Sequence, residues 1–134
     1  MSRTTAVLAC AAGLAFAFAD AARAQEYPNK PIRLVVTYAP GGSTDVVARL
    51  VAQDMTRQLG QNVVIENRAG ANGAIGADYV AKAAPDGYTL CYCTTGPTVI
   101  LPLIDPKLPY NPAKDLQPVT HVVNQPFAIV VRAD

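Results

Sequence analysis

The residues Ala39-Pro40-Gly41-Gly42-Ser43-Thr44-Asp45 hold the densest concentration of binding chemistry in the chain. Gly41 and Gly42 let a ligand approach the backbone, Ser43 and Thr44 offer hydroxyl donors, and an amphipathic segment begins immediately after them. Free N–H groups at a helix start, reinforced by the positive end of the helix dipole, favour an anion. A carboxylate suits that donor set. Asp45 would repel such a ligand, so its expected part is to cap locally or to order a water. The same residues also fit an ordinary capped turn, which makes the surrounding elements decisive.

Two further loops have related composition. Asn67-Arg68-Ala69-Gly70-Ala71-Asn72-Gly73-Ala74-Ile75-Gly76 leads into a helical stretch, but its glycine spacing lacks the G-x-G-x-x-G pattern of a dinucleotide site. Thr94, Thr95 and Gly96 form the third polar turn. Catalysis has little support. His121 is the only histidine, and no nucleophile-elbow pattern surrounds Ser43, so a hydrolytic set of Ser43, Asp45 and His121 stays a weaker, enzymatic reading. Cys91 and Cys93, at i and i+2, point the same way on a strand; disulfides rarely join such neighbours, so core packing is expected. With His121 they fall short of a metal-ligand set, and neither metal nor cofactor is expected. Arg49 and Arg57 fall on the polar side of the first helix, as solvated surface. Arg68 reads as a rim charge or a loop-bracing donor.

These loops need a scaffold, and the apolar pattern supplies one. Ile32 to Tyr38 is a β-branched, aromatic run that reads as a buried strand. Val46, Val47, Leu50, Val51, Met55 and Leu59 then recur at helical spacing, with Gly60 as a stop. Val63-Val64-Ile65 is a second strand, 74–84 a second helix ended by Pro85-Asp86-Gly87, and Tyr88 to Cys93 a third strand. The order predicts α/β architecture, a βαβαβ unit winding into a parallel sheet. All three loops then leave the carboxyl ends of neighbouring strands and share one rim, where open α/β sheets bind ligands. Beyond Thr95, six prolines from Pro97 to Pro118 forbid long regular elements, leaving one helical turn at Val99 to Ile104 and an apolar strand at Phe127 to Val131.

Arg3, the apolar run Ala6 to Ala19 and the small-x-small triplet Ala22-Arg23-Ala24 compose a secretory signal peptide over 1–24, with cleavage after Ala24 and a mature start at Gln25. Asp20 interrupts the apolar run before it reaches the roughly 20 residues of a membrane span. Cys10 lies too far inside that run for lipoprotein processing. Removing Arg3 and Arg23 from 11 basic residues and Asp20 from 10 acidic ones balances the mature charge, which gives no footing for nucleic acid or anionic membrane. The mature length allows one small domain or part of one.

Several linked motifs then resemble one family. Tyr27-Pro-Asn-Lys-Pro-Ile-Arg-Leu-Val-Val, Ala39-Pro-Gly-Gly-Ser-Thr-Asp-Val-Val-Ala-Arg, Leu59-Gly-Gln-Asn-Val-Val-Ile-Glu-Asn-Arg-Ala-Gly-Ala-Asn-Gly, Ala81-Lys-Ala-Ala-Pro-Asp-Gly-Tyr-Thr-Leu and Lys107-Leu-Pro-Tyr-Asn-Pro-Ala-Lys-Asp-Leu-Gln-Pro-Val-Thr are similar to the Bug family, periplasmic solute-binding proteins of tripartite tricarboxylate transporters. The resemblance implies part of a periplasmic-binding-protein fold, type II or Venus-flytrap, whose two hinged lobes close on a di- or tricarboxylate, aromatic acid or amino acid. Residues 25–126 would form most of the amino-terminal lobe and 127–134 the start of the crossover to a second. It implies a monomer that delivers ligand to membrane permease subunits, and no enzyme. Carried over, the ligand positions are Tyr38, Ala39, Gly41, Gly42, Ser43, Thr44 and Asp45, then Ala71, Asn72 and Gly73, then Thr94, Thr95 and Gly96. Ala39 stands where many members have proline and Tyr38 where phenylalanine is frequent. Two other readings remain: an exported sensing module that docks on a membrane sensor, and a truncated product that folds poorly.

Overall fold

Ile32–Val36 is the strand the apolar run predicts, with only Arg33 exposed along it. In the computed structural model, which describes residues 27–125 and 129–132, this strand (β1) is the middle of a three-stranded parallel sheet. Val63–Asn67 (β2) pairs on one side and Thr89–Tyr92 (β3) on the other, in the order β2-β1-β3. The register sets Val36 against both Asn67 and Tyr92, so all three strands end together. The loops that leave the three strands therefore emerge on one rim. The first crossover runs outward from β1 and the second returns across it, which makes the carboxyl end of β1 a topological switch point.

The first crossover helix, Ser43–Leu59 (α1), has Gly42 before it and ends at Gly60, which takes a left-handed φ of 67° and donates its N–H to Thr56 O. Of the six spaced apolar residues Val47, Val51 and Met55 are half-buried, but the most buried positions are others. Ala48 and Ala52 are buried with Asp45, whereas Val46 and Leu50 are 52% and 62% exposed. Ala48 and Ala52 pack with Leu34 and Val36 into the main core cluster, flanked by Val63, Ile65, Leu90 and Tyr92. Small side chains there bring the helix axis close to the sheet, which leaves Val46 and Leu50 on the outer flank. The second crossover helix, Ala74–Ala81 (α2), is shorter than expected and covers the opposite face. A Cβ on Gly76 would sit 2.9 Å from Arg68 O and 3.0 Å from Thr37 Cγ2, so glycine is what lets α2 approach β1.

Gly96–Ile104 is helical throughout, a π turn at Gly96–Ile100 running into Leu101–Ile104 (α3), which is longer than the proline spacing predicts. Pro97 falls in the first turn, where an N–H has no helical partner to lose, whereas Pro102 lies at the junction inside the continuous helix and simply supplies no N–H to it. Pro112–Asp115 (α4) comes next, capped by Asn111. Tyr110 is buried and donates its hydroxyl to Pro97 O at 2.7 Å, tying this tail to the rim.

Cys91 and Cys93 are joined in a disulfide, against the expectation of free, packed thiols. Strand alternation does turn both side chains one way, and with a Cα–Cα separation of 5.4 Å they lie within the span a disulfide bridges. So small a ring restricts the unfolded chain little, ~1.5 kcal/mol by loop-closure entropy. The expected signal peptide at 1–24 and Phe127 lie outside the described residues. Ile129, Val130 and Val131 are exposed and carry no strand, having no neighbouring strand among the described residues to pair with.

Candidate functional site

The Tyr38 hydroxyl joins all three rim loops. It lies 2.9 Å from Thr94 Oγ1 and donates to Asn72 Oδ1 at 3.3 Å. Thr94 in turn anchors its own loop: Oγ1 accepts from the Gly96 N–H at 3.4 Å and the backbone oxygen accepts from Thr98 Oγ1 at 2.8 Å. A Cβ on Gly96 would come within 3.0 Å of the Tyr38 hydroxyl and 3.2 Å of the Asn72 amide. Glycine is thus required for the loops to meet this closely.

The first loop is held from beneath by Asp45. Its Oδ2 accepts from the Gly41 N–H at 3.0 Å and Arg49 Nε at 2.9 Å, and its Oδ1 accepts from Asn67 Nδ2 at 2.8 Å and Arg49 Nη2 at 3.2 Å. Asn67 also donates to Tyr38 O at 3.0 Å. Arg49 first, then Gly41, then Asn67 hold the Asp45 carboxyl far below its ordinary range, while the same contact pushes the Arg49 guanidinium up. Asp45 is 2% exposed and both its oxygens are engaged, so it shapes the loop and does not face the rim. Gly41 makes the turn with φ of 85°. Gly42 precedes α1 with no side-chain cap, which leaves the first-turn N–H groups of the helix without a side-chain acceptor.

Ala39, Gly41, Gly42, Ser43, Ala71, Asn72 and Thr95 are exposed along this rim; Tyr38, Thr44 and Thr94 are half-buried, and Gly73 and Gly96 are buried. Ala71 and Asn72 both take left-handed φ, at 46° and 52°. For Ala71 that conformation costs about 1–3 kcal/mol, within the turn that sets Asn72 against the Tyr38 hydroxyl. Ser43 Oγ accepts from Gln125 Nε2 at 2.9 Å, so the tail after α4 reaches the first loop.

Other sequence expectations fall elsewhere. Arg49 is a bracing residue, not free surface; its i,i+4 spacing from Asp45 was the available signal. Asn67 carried no signal, because its role depends on β2 ending beside β1. Arg57 pairs with Asp54 on the exposed side of α1. Arg68, at the start of the second loop, turns its side chain to the α2 face, where it pairs with Glu66 and stacks over Tyr79 at 3.6 Å. His121 is exposed, and the engagement of Asp45 by Arg49, Asn67 and Gly41 leaves it no place in a hydrolytic set. A groove of about 570 Å³ beside α2 is lined by Arg68, Asp78, Tyr79, Lys82 and Thr89 and includes none of Tyr38, Asn72 and Thr94.

The family model described as "Tripartite tricarboxylate transporter family receptor" matches residues 47–134. A UPF0065 protein of Bordetella bronchiseptica is 50% identical over 113 residues, 84% of this chain. The chain belongs to the tripartite tricarboxylate transporter receptor family. BugT of Bordetella pertussis is 45% identical to it over 108 residues, 80% of this chain and 33% of BugT. Among solved structures, a periplasmic transporter is 55% identical with a TM-score of 0.64, covering 66% of this receptor chain and 30% of that chain. MatC of Rhodopseudomonas palustris, solved with bound malate, is 45% identical with a TM-score of 0.63 over the same 66% of this chain and 30% of its own. The receptor chain spans about a third of the length of the curated relatives it matches. The parallel α/β sheet is that of periplasmic binding proteins, in part, and the family is one of solute receptors, not enzymes.

Proposed function

We propose that this chain forms the carboxylate-holding part of a periplasmic receptor that captures a small organic acid and delivers it to the permease subunits of a tripartite transporter. One observation carries the reading: a single hydroxyl, that of Tyr38, draws three loops together in front of a helix whose first turn has no side-chain cap. Backbone N–H groups at Gly42, Ser43 and Thr44 would take the carboxylate, with Ala39, Gly41 and Asp45 shaping that loop. Ala71, Asn72 and Gly73 would border the ligand on one side and Thr94, Thr95 and Gly96 on the other. Donors preorganised in this way lose little freedom on binding, which is the main source of affinity for a small polar anion. MatC, which shares this part of the fold, is known with malate bound. Di- and tricarboxylates, aromatic acids and amino acids are the ligand class, and a signal peptide cleaved after Ala24 accounts for export.

Calorimetric titration with malate and a panel of related acids tests the reading. Gly42→Val is the informative variant. A Cβ there meets only Ala39 O, at 3.7 Å, so the substitution leaves the fold intact and places a side chain over the N–H groups. Affinity falls at least about tenfold if this loop holds the ligand; an unchanged affinity removes the site.

A further inference from the structure

The Cys91–Cys93 disulfide joins no two elements of the fold. It encloses Tyr92 alone, at the end of β3, with a sequence separation of 2. A bridge that staples nothing acts locally, and what lies next to it is the third rim loop. The register puts Cys91 against Val35 and Tyr92 against Val36. Two residues further along each strand come Thr94 and Tyr38, whose hydroxyls are 2.9 Å apart. The ring therefore sets the backbone direction from which Thr94 reaches Tyr38 and the Gly96 N–H.

Its setting also allows chemistry. Both cysteines are half-buried and not sealed in the core, and β3 is an edge strand among the described residues. Neither sulfur is needed by the core cluster, which uses Leu90 and Tyr92 on the other face of the strand. Opening so small a ring forfeits little loop-closure stabilisation, and disulfides within reach of solvent thiols are the labile class.

We infer that Cys91–Cys93 is a thiol-exchange site, reduced by an external dithiol, whose state sets the geometry of the third rim loop. A thiolate of the dithiol attacks one cysteine sulfur, the Cys91–Cys93 bond breaks, and its electron pair leaves on the other sulfur, which takes up a proton. The second thiol of the reductant, as its thiolate, then attacks the mixed disulfide at the reductant's own sulfur. This releases the remaining cysteine, which is protonated. The protein gains two electrons and two protons, and the dithiol leaves as its cyclic disulfide. In the reduced form the two side chains are free to separate, and the Thr94 to Gly96 backbone loosens with them.

The test needs no ligand, so its result stands apart from the carboxylate reading. The purified chain is oxidised with oxidised glutathione, then treated with dithiothreitol without denaturant, alkylated with iodoacetamide and read by peptide mass. In parallel, amide hydrogen exchange is tracked over residues 94–98. Expected are alkylation of both cysteines only after the reductant, reversal on reoxidation, and exchange at Thr94 to Gly96 faster by about tenfold in the reduced form. The C91S/C93S variant should exchange like the reduced chain and ignore dithiothreitol. A disulfide that yields only in denaturant overturns the inference, as does reduction that leaves exchange at these amides unchanged.

Discussion

Asp45 stands in a loop rich in donors, yet it serves that loop from inside the protein. Its two oxygens are shared among Gly41, Arg49 and Asn67, which fixes the turn that aims the N–H groups outward. The depressed carboxyl has a consequence for acid stability. An ordinary carboxylate value is 3.8, and in the folded state Asp45 loses its proton more readily than that. Its stabilisation is therefore complete at neutral pH, begins to fall as pH drops toward 3.8, and continues to be lost below it. Asp45→Asn should lower the neutral-pH melting temperature by roughly 5 °C or more and flatten the acid limb of a stability profile recorded by circular dichroism. A variant with an unchanged acid limb would show that other carboxylates govern it. At Tyr38, replacement by Phe removes the contacts to Thr94 and Asn72 while keeping the ring. The expected loss is about 1 kcal/mol in denaturant unfolding.

At the scale of elements, α1 is the clearest case of packing overriding pattern. Six branched or long apolar residues recur on it at helical spacing, yet three of them are exposed and the most buried contacts with the sheet are Ala48 and Ala52. Close approach is worth more here than side-chain bulk, since Leu34 and Val36 already fill the space between helix and strand. Two substitutions separate the alternatives. Ala48→Leu must overpack a position that is 0% exposed and should cost at least about 1–3 kcal/mol. Leu50→Ala, on the exposed flank, should change stability by less than about 0.5 kcal/mol. Urea titration reads both, and a costly Leu50→Ala would restore the branched face as the contact. Gly76 is the matching device on α2, where backbone proximity to Arg68 and Thr37 leaves no room for a side chain.

Across the whole molecule, three strands ending in register turn separate loops into one rim. The rim is open: seven of the proposed ligand residues are exposed, and enclosure of most of a ligand's surface is what a tight small-molecule site normally needs. Malate should therefore bind this chain alone at least about 100-fold more weakly than it binds MatC, compared by calorimetry under one buffer. Equal affinities would mean that the three loops suffice. A formal net charge of only +1 fits an open rim of this kind, since local backbone donors and not a long-range positive field would attract the anion.

Periodicity alone determined the order of the first three strands and the two helices between them, because β-branched runs, helical spacing and glycine stops are local properties written in neighbouring residues. It also determined that three glycine-containing loops share one rim, since a right-handed βαβαβ unit leaves them no other place. Tertiary structure decided what each residue does there. Asp45 turns inward because Asn67 arrives at the end of β2, 22 residues away. Ala48 and Ala52 face the sheet because of distances set by packing between α1 and the strands. Such distances arise between elements, and no local pattern encodes them.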